Sequence, residues 1–410
     1  MDFSDTTSEA SFRAEVRAWL EENASVYGKA APRRSSSGEY EEGLKRAKEW
    51  QSKKADAGYA TILWPKAFGG REGTPIEATI FHEEESKFAV PRGYLEIGIG
   101  MAGPTMMSYA TQEQNERYMP KMRSGEEVWC QLFSEPGAGS DLAGLKTRAI
   151  REGDEWVVNG SKVWTSGAHF SDFGILVVRH DPTLPKHRGL TYFFIDMHSP
   201  GIRIERIKQM SGASNFCEVF FEDLRIPDSQ RLGGIGDGWG VALTTLMNER
   251  LAVGDAPPPD AGALFKLAQE MTINGAPAIK DSAVREKVAD WYVQMEGLKF
   301  AKLRTMTALS RGQTPGPESS ITKLVSASKL QNIGSFGMDL EGIGGIMMDP
   351  DAVPEDALYQ NAFMGAPGSR IAGGSDEILR NIISERVLGL PPDIRVDKEK
   401  PFSALPTGAN

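Results

Sequence analysis

The sequence has few of the residues on which several classes of protein depend. Among its 410 residues there are only two cysteines, Cys130 and Cys217, and only five histidines. Two cysteines cannot build a disulfide framework or a cysteine-rich metal cluster. The histidines show no ligand spacing, so the sequence predicts no metal site.

Positive charge and long apolar runs are also scarce. The chain carries 46 lysines and arginines against 56 aspartates and glutamates, a net charge of −10. Without a basic patch we expect no nucleic-acid partner. No run approaches the roughly 18 apolar residues of a membrane span. The polar start MDFSDTTSEASF lacks the apolar core of a secretory signal, so we expect a cytoplasmic protein.

Helical periodicity dominates both ends of the chain. In SFRAEVRAWLEENA, apolar residues four apart form one helix face. In SAVREKVADWYVQMEGL the spacing of four and three is typical of a bundle helix. The two predicted faces consist of Phe12, Val16 and Leu20, and of Val284, Val288, Trp291, Met295 and Leu298.

Between the helical regions the period becomes that of strands. Short runs such as FGILVVRH, LTYFFIDM and CEVFFEDLRIP are rich in β-branched and aromatic residues and end at turn residues. Asn159-Gly160 lies between two apolar runs, which predicts a two-residue β-hairpin turn. Strands that follow one another without helices between them indicate an antiparallel barrel or sandwich and argue against a Rossmann fold.

The predicted fold is therefore α+β and multidomain. Its parts are an N-terminal α-helical domain (1–128), a central antiparallel β-barrel (129–240), a C-terminal four-helix bundle (241–395) and a polar tail (396–410).

The segment LFSEPGAGSDLAG, residues 132–144, is the first of three specific motifs. Ser134 and Ser140 flank a tight GAG turn, whose backbone N–H groups can meet an anion or the edge of a flavin. An ordinary loop entering a strand would fit the same residues.

Two further motifs are KVWTSG (162–167) and IAGGSDEILRNIISERVLGLP (371–391). In the first, Trp164 on a strand could lie flat on an aromatic cofactor or be a core residue. In the second, a Gly-Gly pair precedes a helix capped by Ser375. That arrangement allows close approach of a ligand and favours an anion, although it is also a simple N-cap.

The first and last motifs resemble the two signatures of the acyl-CoA dehydrogenase family of flavoproteins. The similarity extends from the WPKAFGG loop to the terminal helix. It implies FAD as cofactor and an acyl-CoA as substrate, which is dehydrogenated to the trans-2-enoyl-CoA. It also implies an electron-transfer flavoprotein as electron acceptor and a homodimer or homotetramer, with a hetero-oligomer as an alternative.

The same resemblance assigns roles to individual residues. Contacts to FAD fall to Phe133, Ser134, Trp164, Ser166, Ser375 and Glu377. Contacts to the substrate fall to Gly139, Ser140 and Arg250.

The position of the catalytic base departs from the commonest family pattern. Many members carry a Glu just before the Gly of the second signature, where this chain has Gly373. Isovaleryl- and long-chain-type members carry the Glu on a bundle helix, and Glu249 in LTTLMNERLAVG matches that position. The resemblance then implies that Glu249 removes the α proton and that the β hydride passes to flavin N5. An exposed Glu in an intrahelical ion pair is the alternative role.

Three other departures bear on the cofactor and acyl sites. Met271 stands where many members have an Arg that contacts FAD of the neighbouring subunit, and Glu341 stands at the place of a Gln. Pro257, Pro258 and Pro259 interrupt a helix that usually continues. An acyl-CoA oxidase, or a non-catalytic partner subunit of a hetero-oligomer, are therefore the alternative functions.

Overall fold

The computed structural model describes residues 5–28, 40–252, 259–311, 313, 316–317, 319–349, 357–395 and 397–406. Two compact units emerge. One unit comprises Met1–Ser36, Thr74–Ala89 and Gly254–Pro392, and the other comprises Ser37–Gly73, Val90–Val253 and Asp393–Asn410. The domain boundaries that the sequence predicts stay predictions.

The helices, in chain order, are α1 (Thr7–Asn23), α2 (Tyr40–Asp56), α3 (Pro75–Glu85), α4 (Gly103–Tyr109), α5 (Gln112–Ser124), α6 (Gly238–Ala252), α7 (Ala261–Glu270), α8 (Ser282–Ser310), α9 (Ser319–Glu341), α10 (Leu358–Ile371) and α11 (Asp376–Ile382). The strands are β1 (Trp129–Leu132), β2 (Arg148–Glu152), β3 (Glu155–Ser166), β4 (Phe173–Arg179), β5 (Leu190–Asp196), β6 (Ile202–Ile207), β7 (Phe216–Pro227), β8 (Thr272–Ile273) and β9 (Ala276–Pro277). In the described part of the chain no helix is both long and apolar enough to span a bilayer.

Strands β1 to β7 form one sheet in the second unit. Strand β3 pairs antiparallel with β2 and β7, and β7 pairs antiparallel with β6. Strand β4 pairs antiparallel with β5 but parallel with β1, so the sheet is mostly and not wholly antiparallel. A parallel bridge between Arg148 and Arg179 joins the two halves.

Strands β1, β4 and β5 are buried on both faces, which explains the continuous apolar runs of β4 and β5. On β5, Tyr192 and Phe194 pack into a core shared with α4, α5 and α6, while Phe193 and Ile195 pack into a second core on the opposite face. Successive side chains of a strand point to opposite faces, so one strand supplies both cores.

The hairpin predicted at Asn159-Gly160 is wrong. Both residues lie inside β3, at a register shift between Val158 and Gly160. The β2–β3 turn instead contains Gly153, with φ 65°. Gly160 is needed for another reason, because a Cβ there would lie 2.6 Å from Thr147 Oγ1 and 2.8 Å from Thr147 Cα.

The first unit is built on the predicted helix faces. Val284, Val288 and Trp291 are buried with residues of α7, α9 and α10, while Met295 packs at the edge of this core. An Asn-Gly hairpin does occur in this unit. Asn274 and Gly275, with φ 51° and 77°, connect β8 to β9.

A buried carboxylate fixes α1 against α3. Glu84 is 2% exposed and accepts hydrogen bonds from Arg17 at 3.1 Å, from Arg13 at 3.2 Å and from Lys87. Burial by itself would raise the pKa of Glu84. The hydrogen bonds from Arg17, Lys87 and Arg13 outweigh burial and lower the pKa to about 2.

Glu84→Gln is expected to destabilise the protein at pH 7 by about 1–3 kcal/mol, since the three cations lose a charged acceptor. Because the folded pKa is lowered, the stabilisation is present above the unfolded pKa of about 4.3 and is lost as pH falls towards the folded value. Urea unfolding at pH 7 and pH 3 should show the difference from the parent shrinking. A difference of equal size at both pH values would contradict this, and exposed Glu22→Gln is the control.

Candidate active site

Trp164 has an unusual backbone for a strand residue. The register of β3 against β7 shifts between Lys162 and Thr165, and Trp164 within this bulge has φ 60°. The left-handed region costs a non-glycine residue about 1–2 kcal/mol. Trp164 is nonetheless 58% exposed, and its indole meets the edge of the Phe216 ring, with ring centroids 5.9 Å apart at 87°. Strain that presents a large aromatic side chain to the outside indicates a binding role.

The predicted hydroxyl residues lie beside this indole. Ser166, two residues further along β3, is exposed. The carbonyl of Ser134 accepts a hydrogen bond of 2.8 Å from the N–H of Val163, which brings the loop after β1 next to Trp164. The structure therefore groups Ser134, Trp164 and Ser166 at one place on the sheet.

Phe133 faces the other way. Its ring is buried and meets Tyr192 edge-on, with centroids 5.8 Å apart. Its backbone is thus the part of Phe133 left for the predicted cofactor contact.

A buried ion pair joins the first signature to β3. Lys162 is 0% exposed, and its Nζ donates to the Phe133 carbonyl at 2.9 Å and to Glu135 Oε1 at 2.8 Å. Glu135 also accepts from the N–H groups of Lys146 at 2.6 Å and Thr147 at 3.0 Å. Burial would raise the pKa of Glu135, but the charge of Lys162 and these hydrogen bonds lower it. The carboxylate is therefore ionised and holds both ends of the signature loop.

The turn between these anchors is tight and exposed. Glu135 and Ala138 exchange two backbone hydrogen bonds of 3.0 Å, as the GAG pattern predicts. Gly139 and Ser140 follow at the surface, where a Cβ on Gly139 would meet nothing within 4 Å. Both residues are thus accessible for the substrate contacts assigned to them.

The second signature lies in the first unit. Ser375 caps α11 as predicted, accepting from the N–H of Ile378, and Glu377 is exposed in the first turn. The preceding glycines are held in place by Lys323, whose Nζ donates to the Gly374 carbonyl at 2.6 Å. Gly373 has φ 65°, so a Glu at this position would be strained.

Helix α6, which includes position 249, is fixed to the sheet by buried hydroxyls. Thr245 Oγ1 lies 2.8 Å from the hydroxyl of Thr105 on α4 and 2.9 Å from that of Tyr192 on β5. Position 249 comes four residues after Thr245, and residues four apart share a helix face. The side chains of Glu249 and Arg250 lie outside the described residues.

The departures from the family pattern have different surroundings. Met271 ends α7 and is half-buried. The carboxyl of Glu341 is 6% exposed and accepts from Gln360 Nε2, and burial raises its pKa. Pro257 and Pro258 lie outside the described residues, while Pro259 is buried just before α7.

Lys162 and Glu135 were not singled out from the sequence. A lysine within a predicted strand, next to Val163 and two positions from a tryptophan, was an available signal, because lysine is seldom fully buried without a partner. Its partner could not be identified, since Glu135 is distant in sequence and is brought close by the fold.

Comparisons with known proteins identify the family. Family models described as the N-terminal, middle and C-terminal domains of acyl-CoA dehydrogenase match residues 6–126, 130–224 and 236–388. This chain belongs to the acyl-CoA dehydrogenase family. It is therefore an oxidoreductase that acts on acyl-CoA thioesters and binds FAD, and the strained, exposed indole with neighbouring hydroxyls suits a planar ring bearing polar edges.

Individual relatives cover nearly the whole chain. Acyl-CoA dehydrogenase IpdE1 of Mycobacterium tuberculosis is 35% identical over 388 residues, which are 94% of this chain and 98% of that protein. The ChsE4-ChsE5 complex from Mycobacterium tuberculosis has a TM-score of 0.79 at 26% identity, and a structure described as the Tcur3481-Tcur3483 steroid ACAD has 0.78 at 27%. In both cases 96% of this chain and 100% of the other chain are covered.

Trp164→Gly is expected to have opposite effects on cofactor binding and on stability. Losing the indole should weaken FAD binding about tenfold, since aromatic stacking is lost, while the melting temperature of the apoprotein does not fall because backbone strain is relieved. Fluorescence titration with FAD and thermal unfolding measure the two effects.

Asn274→Gly is the matched control, because it relieves the backbone strain of another non-glycine residue with a left-handed backbone, in the β8–β9 turn. It should leave FAD binding unchanged. Unaltered FAD affinity in Trp164→Gly would show that the indole does not contact the cofactor.

Proposed function

We propose that this chain converts an acyl-CoA thioester to the trans-2-enoyl-CoA, with Glu249 as the base for the α proton. The observation that carries the assignment is the left-handed backbone of Gly373, φ 65°, at the place where other members have the base. Position 373 thus offers neither a carboxylate nor a backbone suited to a residue that carries one. Position 249 lies on a helix whose preceding turn is anchored beside the first signature through Tyr192 and Phe133.

The chemistry divides between the protein and its cofactor. FAD, when bound, supplies the acceptor for the hydride from the β carbon. The Glu249 carboxylate accepts the proton from the α carbon, and the electron pair of that C–H bond forms the new double bond. The electron pair of the β C–H bond leaves with the hydride and reduces the cofactor. Donors that stabilise negative charge on the thioester oxygen are needed at the same time.

For the substrate class we propose a bulky acyl-CoA of the steroid type. We also propose that an electron-transfer flavoprotein reoxidises the reduced FAD. The support for the acyl group is the structure described as a steroid ACAD, which matches 96% of this chain. Anaerobic flavin bleaching with a steroid acyl-CoA and a straight-chain acyl-CoA tests the choice. Oxygen consumption without an added carrier would identify an oxidase instead.

Glu249→Gln should lower the rate of flavin reduction by about 10²–10⁴-fold, the usual contribution of a general base. FAD should remain bound, because this change removes only the proton acceptor. Anaerobic stopped-flow bleaching gives the rate, and the visible spectrum gives the FAD content. Exposed Glu286→Gln on α8 is the control, and bleaching of Glu249→Gln at the parent rate would exclude Glu249 as the base.

A second candidate, a partner subunit in a hetero-oligomer, is favoured by Glu341. Many members of the family have a Gln at the position of Glu341 and an Arg at the position of Met271, and the resemblance implies that these two residues contact FAD of a neighbouring subunit. Here the Glu341 carboxyl is turned into the fold towards Gln360, and Met271 carries no charge. The structural relatives also include two-chain assemblies, ChsE4-ChsE5 and Tcur3481-Tcur3483. We propose that this chain assembles with a second, different chain.

For the assembly, we expect the chain purified alone to retain less than one FAD per subunit. Met271→Arg with Glu341→Gln should raise that ratio, because it supplies two hydrogen-bond donors in place of an apolar group and a carboxyl. The visible spectrum of purified protein measures it. Met210→Arg with Glu113→Gln, at exposed positions of the other unit, makes the same charge change elsewhere. Stoichiometric FAD and full turnover in the unaltered chain alone would overturn the two-chain proposal.

A further inference from the structure

The C-terminal segment Asp397–Leu405, called the strap below, packs on the sheet unit. The N–H of Phe402 donates to the Leu184 carbonyl at 2.9 Å, and the N–H of Ser403 donates to the Pro182 carbonyl at 2.8 Å. The strap therefore lies along the β4–β5 connection. It also lies beyond the family match, which ends at residue 388.

Phe402 covers the guanidinium of a buried arginine. The Arg179 Cζ lies 3.5 Å from the centroid of the Phe402 ring, and Arg179 is 3% exposed. Among the described residues no carboxylate is within ion-pair distance of Arg179. Burial lowers the pKa of Arg179 to about 10. A cation stripped of water without a counter-ion gains most from an aromatic face.

Two N–H groups of Arg179 donate hydrogen bonds to backbone carbonyls at the end of the first signature. Nε donates to the Leu145 carbonyl at 2.9 Å, and Nη2 donates to the Ala143 carbonyl. Nη1 donates to the Lys186 carbonyl at 3.2 Å. Arg179 thus links the β4–β5 connection to the part of the signature that follows Ser140.

Lys186 makes a second link between the strap and the signature. Its Nζ lies 3.1 Å from Asp141 Oδ1 and 2.6 Å from Asp397 Oδ2. Asp141 follows Ser140 directly. Both contacts of the strap therefore act on residues just after the exposed turn, whose other end is held by Lys162 and Glu135.

We propose that Phe402 and Asp397 are positioning residues for FAD binding, acting through Arg179 and Lys186 to fix the turn that contains Gly139 and Ser140. The inference rests on FAD as the cofactor and on contact between the first signature, residues 132–144, and the bound FAD. It does not depend on the identity of the base or on turnover.

Phe402→Ala should raise the dissociation constant of FAD about three- to tenfold, since the buried cation loses its aromatic cover. Phe402→Trp should restore it. Hydrogen–deuterium exchange should accelerate at the N–H groups of Gly144 and Leu145, which donate to Asp141 and Leu142, and stay unchanged in β3. Fluorescence titration and exchange by mass spectrometry measure these outcomes.

Asp397→Asn is the milder variant and serves if Phe402→Ala does not fold. It should raise the FAD dissociation constant about two- to threefold, as expected for a partly exposed ion pair. Exposed Glu399→Gln, in the same strap, is the control and should match the parent. Faster exchange within the strap alone, with FAD affinity and residues 139–147 unchanged, would overturn the proposal. Inactivity of a chain that still shows these FAD effects would count against the proposed function only.

Discussion

The ion pair between Lys162 and Glu135 is the interaction on which the candidate cofactor-binding face around Trp164 depends. Removing one partner of a buried pair typically costs about 3–5 kcal/mol, because the other charge is left without compensation. Here the pair also fixes the Phe133 carbonyl and the N–H groups of residues 146 and 147. The pair consequently links the loop before the turn, the strand after the turn and the bulge that exposes Trp164.

Two further sets of contacts extend from this face. On one side, the hydroxyls of Tyr192, Thr245 and Thr105 attach α6, and with it position 249, to the sheet. On the other, Arg179 attaches the C-terminal strap to the signature. Both use buried polar groups whose hydrogen bonds require a defined geometry, so they fix rotation and register where apolar packing alone would permit sliding.

The catalytic proposal and the assembly proposal stem from substitutions at family positions. Gly373, in the left-handed region, stands where the family resemblance implies a carboxylate, and the buried carboxyl of Glu341 stands where it implies an amide. In the two proposals, the first change assigns proton transfer to a helix, and the second removes a hydrogen-bond donor to the cofactor of a neighbouring subunit. A chain with these changes keeps the scaffold while depending on other residues, or on another chain, to complete its chemistry.

The sequence by itself determined the helix faces, the strand region, the family and the N-cap at Ser375, because these follow from local periodicity, capping and long motifs. Its assignment of Trp164 and Ser166 to the cofactor stays a prediction. Tertiary structure decided which Asn-Gly pair turns. Among the described residues β8 and β9 pair only with each other, and Asn274-Gly275 connects them as a hairpin, whereas Gly160 lies within β3, where a Cβ would clash with Thr147. It also decided the burial of Lys162 and the exposure of Trp164. Strand alternation would give them the same face, and only the bulge, set by pairing with β7, separates them.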